Sequence, residues 1–218
     1  MTENLTIDDS ATLWNSGERT GLPLLVLLHG YGADENDLIG LLPHLPTGIA
    51  VASVAAPLTP PWPMPGRSWY PIEGLDGRSA DTVTAAARAV LQWLDAVAPD
   101  APSIALLGFS QGAAVSLQAL RLAPERLGAV VALSGYVATG DLPDDEALRE
   151  LRPPVFWGRG THDDVIPPER IAYTAQWLPD HSELSGRVYT GLTHSISEDE
   201  LADVHQFLTT WVDGIAPQ

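Results

Sequence analysis

The stretch SIALLGFSQGAAVSLQAL, residues 103–120, passes from an unbroken apolar run through small residues into a helical pattern. Ile104–Phe109 lacks the polar alternation of a half-exposed strand, so it predicts a strand covered on both faces. Gln111–Leu122 is almost entirely apolar or small, as in a helix packed against a sheet. Ser110 stands between them, in Gly108-Phe109-Ser110-Gln111-Gly112. A nucleophile elbow needs this order: a strand, a tight turn carrying the serine, then a helix. Glycines on either side remove side chains that would collide where strand and helix approach. A serine in an ordinary βα loop, or at a helix N-terminus, is the plain alternative. The G-x-S-x-G pattern arises often enough by chance that the rest of the chain must decide.

Similar apolar runs occur at Leu24–Leu28, 49–54, Ala129–Leu133 and 155–157, with a weaker one at 187–189 and an edge candidate at 12–14. Helical patterns lie between them. Over 81–98, Val83, Ala87, Val90, Leu94 and Val97 recur at spacings of four and three, which makes one buried face. A shorter helix is predicted over 171–178, ended by Pro179. In the last helix Leu201, Val204, Leu208 and Trp211 share a face, and Ser197 with Glu200 three residues on forms a capping-box signature. Strand and helix in alternation predict right-handed βαβ units. The expected fold is a mostly parallel α/β sheet with helices on both faces, in a single domain over 1–218. Ligands bind such sheets beyond the carboxyl ends of the strands.

The 218 residues carry a formal charge of −17, from 28 acidic and 11 basic residues, and every basic residue is arginine. A surface so negative repels nucleic-acid backbones and anionic lipid headgroups, so neither nucleic acid nor an integral membrane association is expected. Without lysine there is no P-loop lysine, Schiff base or Ser-Lys dyad. Without cysteine there is no disulfide, thiolate metal site or cysteine nucleophile. The N-terminus has no basic and apolar leader, and no apolar run approaches the ~18–20 residues of a membrane span. A cytoplasmic location is the expectation.

A serine hydroxyl needs a base to take its proton. In the hydrolase order the acid and then the histidine follow the serine. His29 and His44 precede Ser110, His162 sits among acids, His181 follows Pro179, and His205 falls inside the last helix. His194, in YTGLTHSIS, lies in the loop between the last strand and the capped helix, where a base belongs. The acid is expected beyond the strand 155–157, where Asp163 and Asp164 stand side by side. Either could hold the imidazole tautomer. His162-Asp163-Asp164 is a poor metal set, because consecutive residues do not converge on one point. An oxyanion needs backbone donors: the N–H of Tyr31, in the loop His29-Gly30-Tyr31-Gly32, and that of Gln111, after the serine.

These segments together resemble the phospholipase/carboxylesterase family of small serine esterases, which includes the acyl-protein thioesterases. The resemblance runs from about Leu24 to Trp211 and rests on LLHGYGAD, APLTPPWPMPGRSWYPI, LLGFSQGAAVSL, GRGTHDDVIP and GLTHSIS. It implies an α/β-hydrolase fold, a Ser110-Asp163-His194 triad and no metal or organic cofactor. The family places the acid four residues before the proline of its loop, which selects Asp163 ahead of Pro167. The chain departs from the family at Gly158-Arg159-Gly160, where members commonly carry His-Gly, and at Thr193, where many have glycine. Residues 57–78 form a long Pro-rich loop, read as a lid or substrate pocket with Trp62, Met64, Trp69 and Tyr70 on its wall. The expected substrate is a neutral carboxylic ester of short to medium acyl chain, with thioester or lysophospholipid cleavage as rivals. A non-catalytic hydrolase-fold binding protein is the reading from another class, though none of the three triad side chains is missing. The oligomeric state stays open, a homodimer included.

Overall fold

The computed structural model describes residues 5–15, 17–72 and 79–215. Its strands are β1 (Leu13–Trp14), β2 (Leu24–Leu28), β3 (Ala50–Val54), β4 (Ile104–Phe109), β5 (Ala129–Leu133), β6 (Pro154–Gly160) and β7 (Glu183–Tyr189). They form one sheet in the order β1-β3-β2-β4-β5-β6-β7, in which β1 alone runs antiparallel to its neighbour. The stronger apolar runs, in β2 to β6, are buried on both faces, whereas the weaker run at 187–189 lies in the largely exposed edge strand β7. Leu24, Val26, Leu28, Leu106 and Ala132 point to one core, and Leu25, Leu27, Leu107 and Val131 to the other.

The helices are α1 (Glu35–Ile39), α2 (Ala80–Val97), α3 (Gln111–Leu122), α4 (Asp145–Leu151), α5 (Pro168–His181) and α6 (Glu198–Asp213). Helices α2, α3, α4 and α5 bury Val90, Val115, Leu148 and Leu178 in the first core. Helices α1 and α6 bury Leu38, Val204, Leu208 and Trp211 in the second. Helix α3 is buried along nearly its whole length, which explains its lack of a polar face.

Two expectations about elements are corrected. Helix α5 runs through Pro179 instead of stopping before it. The lost N–H falls in the last turn, where side chains satisfy the final carbonyls: His181 Nδ1–H donates to Trp177 O at 2.7 Å and Ser182 Oγ to Leu178 O at 2.7 Å. Strands β6 and β7 are longer than their apolar centres, because Gly158, Gly160 and Glu183 pair in the ladder without being apolar. The sequence reading also passed over the short helices α1 and α4. Helix α4 is anchored by Asp145, which accepts from Arg121 Nε at 2.9 Å and Nη2 at 2.7 Å.

Candidate active site

Strand β4 delivers Ser110 to the carboxyl edge of the sheet, and α3 begins at the next residue. Ser110 has φ 54 and ψ −112, in the left-handed half of backbone space that an L-residue occupies at a cost of ~1–3 kcal/mol. Two glycines make the turn sterically open. A Cβ on Gly108 would collide with the Gly112 main chain, and one on Gly112 with the Leu28 and His29 carbonyls. Both glycines of the motif are therefore demanded by close packing.

Three loops converge on Ser110. His194, between β7 and α6, places Nε2 2.8 Å from Ser110 Oγ and Nδ1 2.8 Å from Asp163 Oδ2. Asp163, beyond β6, accepts through Oδ1 from the N–H groups of Val165 at 3.0 Å and Ile166 at 3.2 Å. Its side chain is only 1% exposed. Burial alone would raise the carboxyl, but the His194 and main-chain hydrogen bonds outweigh it and hold the group below its ordinary value. A carboxylate here makes Nδ1–H the donor, which leaves the Nε2 lone pair facing the serine hydroxyl. An imidazole held in this way can take the Oγ proton at Nε2, while the carboxylate stabilises the imidazolium that results. Asp164, the other candidate acid, is exposed to solvent.

The loop after β2 lies against the elbow, so that a Cβ on Gly30 would sit 3.6 Å from Ser110 Cβ. Among the described residues, no hydrogen bond uses the N–H of Tyr31 or of Gln111. His29 is buried and locked, with Nδ1–H donating to Gly30 O at 2.7 Å and Nε2 accepting from Ala56 N–H at 3.1 Å. Burial lowers its pKa, the Gly30 contact notwithstanding, so the neutral ring that these two bonds require is favoured.

Beside Ser110 and His194 a cavity of about 230 Å³ opens, walled by Tyr31, Tyr70, Phe109, Tyr136, Val165 and Ile166. The Tyr70 and Tyr136 hydroxyls meet at 2.9 Å, joining the loop after β3 to the loop after β5. Of the four residues expected on this wall Tyr70 lines it, and Trp62, Met64 and Trp69 lie elsewhere. Trp69 is 0% exposed, and its indole N–H donates to His29 O at 2.8 Å. It is thus a packing residue behind the loop after β2. Trp62 is 93% exposed on the outer turn, and Met64 packs its sulfur near Gly32. Sequence position alone put four aromatic or apolar residues on the loop without saying which way each points, and only Tyr70 faces the cavity. Tyr136 and Val165 are not signalled in the sequence, because no motif marks them. The part of the expected lid at 73–78 lies outside the described residues. A wider cavity of about 590 Å³, lined by Pro102, Ser103, Gly128, Pro154 and Glu183, sits at the opposite, amino ends of β4–β7 and holds none of the residues just described.

The phospholipase/carboxylesterase family model matches residues 14–212. A curated relative, acyl-protein thioesterase 1 of Debaryomyces hansenii, is 37% identical over 111 residues, covering 50% of this chain and 48% of its own length. The chain spans about half the length of the curated relatives it matches first. Among solved structures, esterase PE8 superposes with a TM-score of 0.77 at 28% identity, covering 95% of this chain and 99% of its own. The Bacillus cereus carboxylesterase superposes at 0.78 with 18% identity, covering 92% and 93%, and shares the fold.

Proposed function

This chain belongs to the phospholipase/carboxylesterase family, and from that premise we propose that it is a serine carboxylesterase acting on neutral carboxylic esters. The observation that carries the reading is the unbroken contact from Ser110 Oγ to His194 to Asp163, 2.8 Å at each step. Ser110 Oγ attacks the ester carbonyl while His194 Nε2 takes its proton, and Asp163 steadies the imidazolium. The N–H groups of Tyr31 and Gln111 receive the negative charge that builds on the carbonyl oxygen. His194 then gives the proton to the departing alcohol, leaving an acyl group on Ser110. Water repeats the sequence and frees the acid. No step calls for a metal or an organic cofactor.

The cavity supports a short to medium acyl chain. A cavity of ~150 Å³ accommodates benzene, so about 230 Å³ holds roughly nine carbon atoms. A longer chain would have to run outward past Val165 and over the exposed surface. A second reading, acyl-protein thioesterase activity, is favoured by the curated relatives of that name. Lysophospholipid cleavage belongs to the same chemistry. A chain-length series of p-nitrophenyl esters, run beside a palmitoyl thioester, separates these readings. The carboxylesterase reading predicts kcat/KM highest below about ten acyl carbons and at least tenfold weaker turnover of the palmitoyl thioester. A preference for the palmitoyl thioester would hand the site to the second reading, and no turnover of either would remove both.

A further inference from the structure

Gln111 is the residue after the proposed nucleophile, and the proposed chemistry uses only its backbone. Its side chain is 3% exposed and fully engaged. Oε1 accepts from the main-chain N–H of Trp69 at 2.8 Å, and Nε2 donates to the main-chain carbonyl of Tyr70 at 2.6 Å. The amide orientation is dictated by these partners, because one is an obligatory donor and the other an obligatory acceptor. Ser68 Oγ adds a donated bond to the Tyr70 carbonyl at 2.7 Å. Trp69 in turn donates its indole N–H to the carbonyl of His29 at 2.8 Å, and His29 holds Gly30 and Ala56.

The two proposed oxyanion donors therefore hang on one buried relay. It runs from the elbow through the Gln111 amide to residues 68–70, then through Trp69 to His29 and so to the Gly30–Tyr31 peptide. From this relay we infer that the Gln111 side chain is a positioning residue. It fixes the distance between the N–H of Gln111 and the N–H of Tyr31 by tethering the loop after β3 to both. The inference rests on the serine esterase reading of the same site. Its physical basis is that the two donors lie beyond the last rung of the β2–β4 ladder, Leu28 with Gly108: Gln111 at the start of α3 and Tyr31 in the loop after β2. Without the tether only packing sets their separation, and a shift of ~1 Å at a reacting centre costs about 10²-fold in rate.

The test compares Gln111→Met, which keeps the length and loses both bonds, with Trp69→Phe, which keeps an aromatic but smaller ring and loses the His29 contact. Active sites are counted by end-point labelling with a fluorophosphonate, so that misfolded protein does not enter the rate. The expected result, per labelled site, is a kcat lowered ~10–100-fold with KM changed less than about threefold. The affinity for a trifluoromethyl ketone, whose hemiketal oxygen mimics the oxyanion, falls by the same factor as kcat/KM. A purely structural role would reduce the number of labelled sites and leave both per-site quantities unchanged, and that result overturns the tether. If Gln111→Met does not fold, the same readouts on Trp69→Phe decide. Wild-type protein that takes up no fluorophosphonate overturns the esterase reading and the tether together.

Discussion

Asp163 commits both oxygens to the site, one to His194 and one to the Val165 and Ile166 N–H groups, while Asp164 next to it is exposed. Asp163→Asn offers Nδ1 an amide in place of a carboxylate and disturbs the tautomer, so kcat should fall by ~10⁴. Asp164→Asn should leave kcat within about twofold. Steady-state kinetics on the two variants check the assignment, and a reversed order would move the acid by one residue. Glu200 offers a second residue-scale consequence. It is 0% exposed, and among the described residues both its carboxyl oxygens lack a hydrogen-bond partner. Burial, aided by the nearby Asp203 carboxylate, raises its pKa from 4.5 to about 7. Between those values the unfolded chain gives up a proton that the folded chain keeps, so stability is lost as pH rises through this window. The raised pKa corresponds to ~3 kcal/mol. Glu200→Gln should therefore be more stable than the natural protein at pH 8, by up to about that amount, with the gap closing at pH 4. Urea unfolding at the two pH values reads this directly, and a gap independent of pH would contradict it.

Among the elements, the β4–α3 junction is the least forgiving. A methyl group at Gly112 would meet the carbonyl of Leu28, the last residue of β2 and fixed in the sheet, and that of His29 just beyond it. Gly112→Ala should lower stability by at least ~1–3 kcal/mol, and thermal unfolding together with end-point fluorophosphonate labelling would register it. Wild-type melting temperature and full labelling in this variant would contradict the close approach. The elements also show where sequence reading succeeds and why it stops. Strands β2, β4 and β5 were legible to the residue, because burial on both faces leaves an uninterrupted apolar signature. Helix α4 was not, since it is short and its anchor is the buried Arg121–Asp145 ion pair, whose partners lie 24 residues apart. The extension of α5 past Pro179 depended on His181 and Ser182 reaching back to carbonyls, which no propensity records. The loop at 57–72 misled for a related reason. Its aromatic residues were visible, but Trp69 points inward to His29 and Trp62 outward to solvent. The direction of each is set by a long-range hydrogen bond or by the want of one.

On the scale of the whole molecule, the chain order serine, acid, histidine was readable because strand ends in a parallel sheet share one edge. Distances were not readable: the meeting of Ser110, Asp163 and His194 spans β4, β6 and β7 and is a property of the assembled sheet. The tether between Gln111 and residues 68–70 was hidden for the same reason, since its ends are about forty residues apart. The chain carries a net charge of −17, and the cavity beside Ser110 is walled mainly by aromatic and aliphatic side chains. All of this depends on Ser110 being a nucleophile. The measurement that tests it most directly is the intact mass of folded protein after exposure to a fluorophosphonate, with peptide mapping of the adduct and Ser110→Ala as the paired sample. The account predicts a single adduct on Ser110, complete loss of ester turnover with its formation, and no adduct on the variant. Folded wild-type protein that remains unmodified, or an adduct that maps elsewhere and persists in Ser110→Ala, would contradict it.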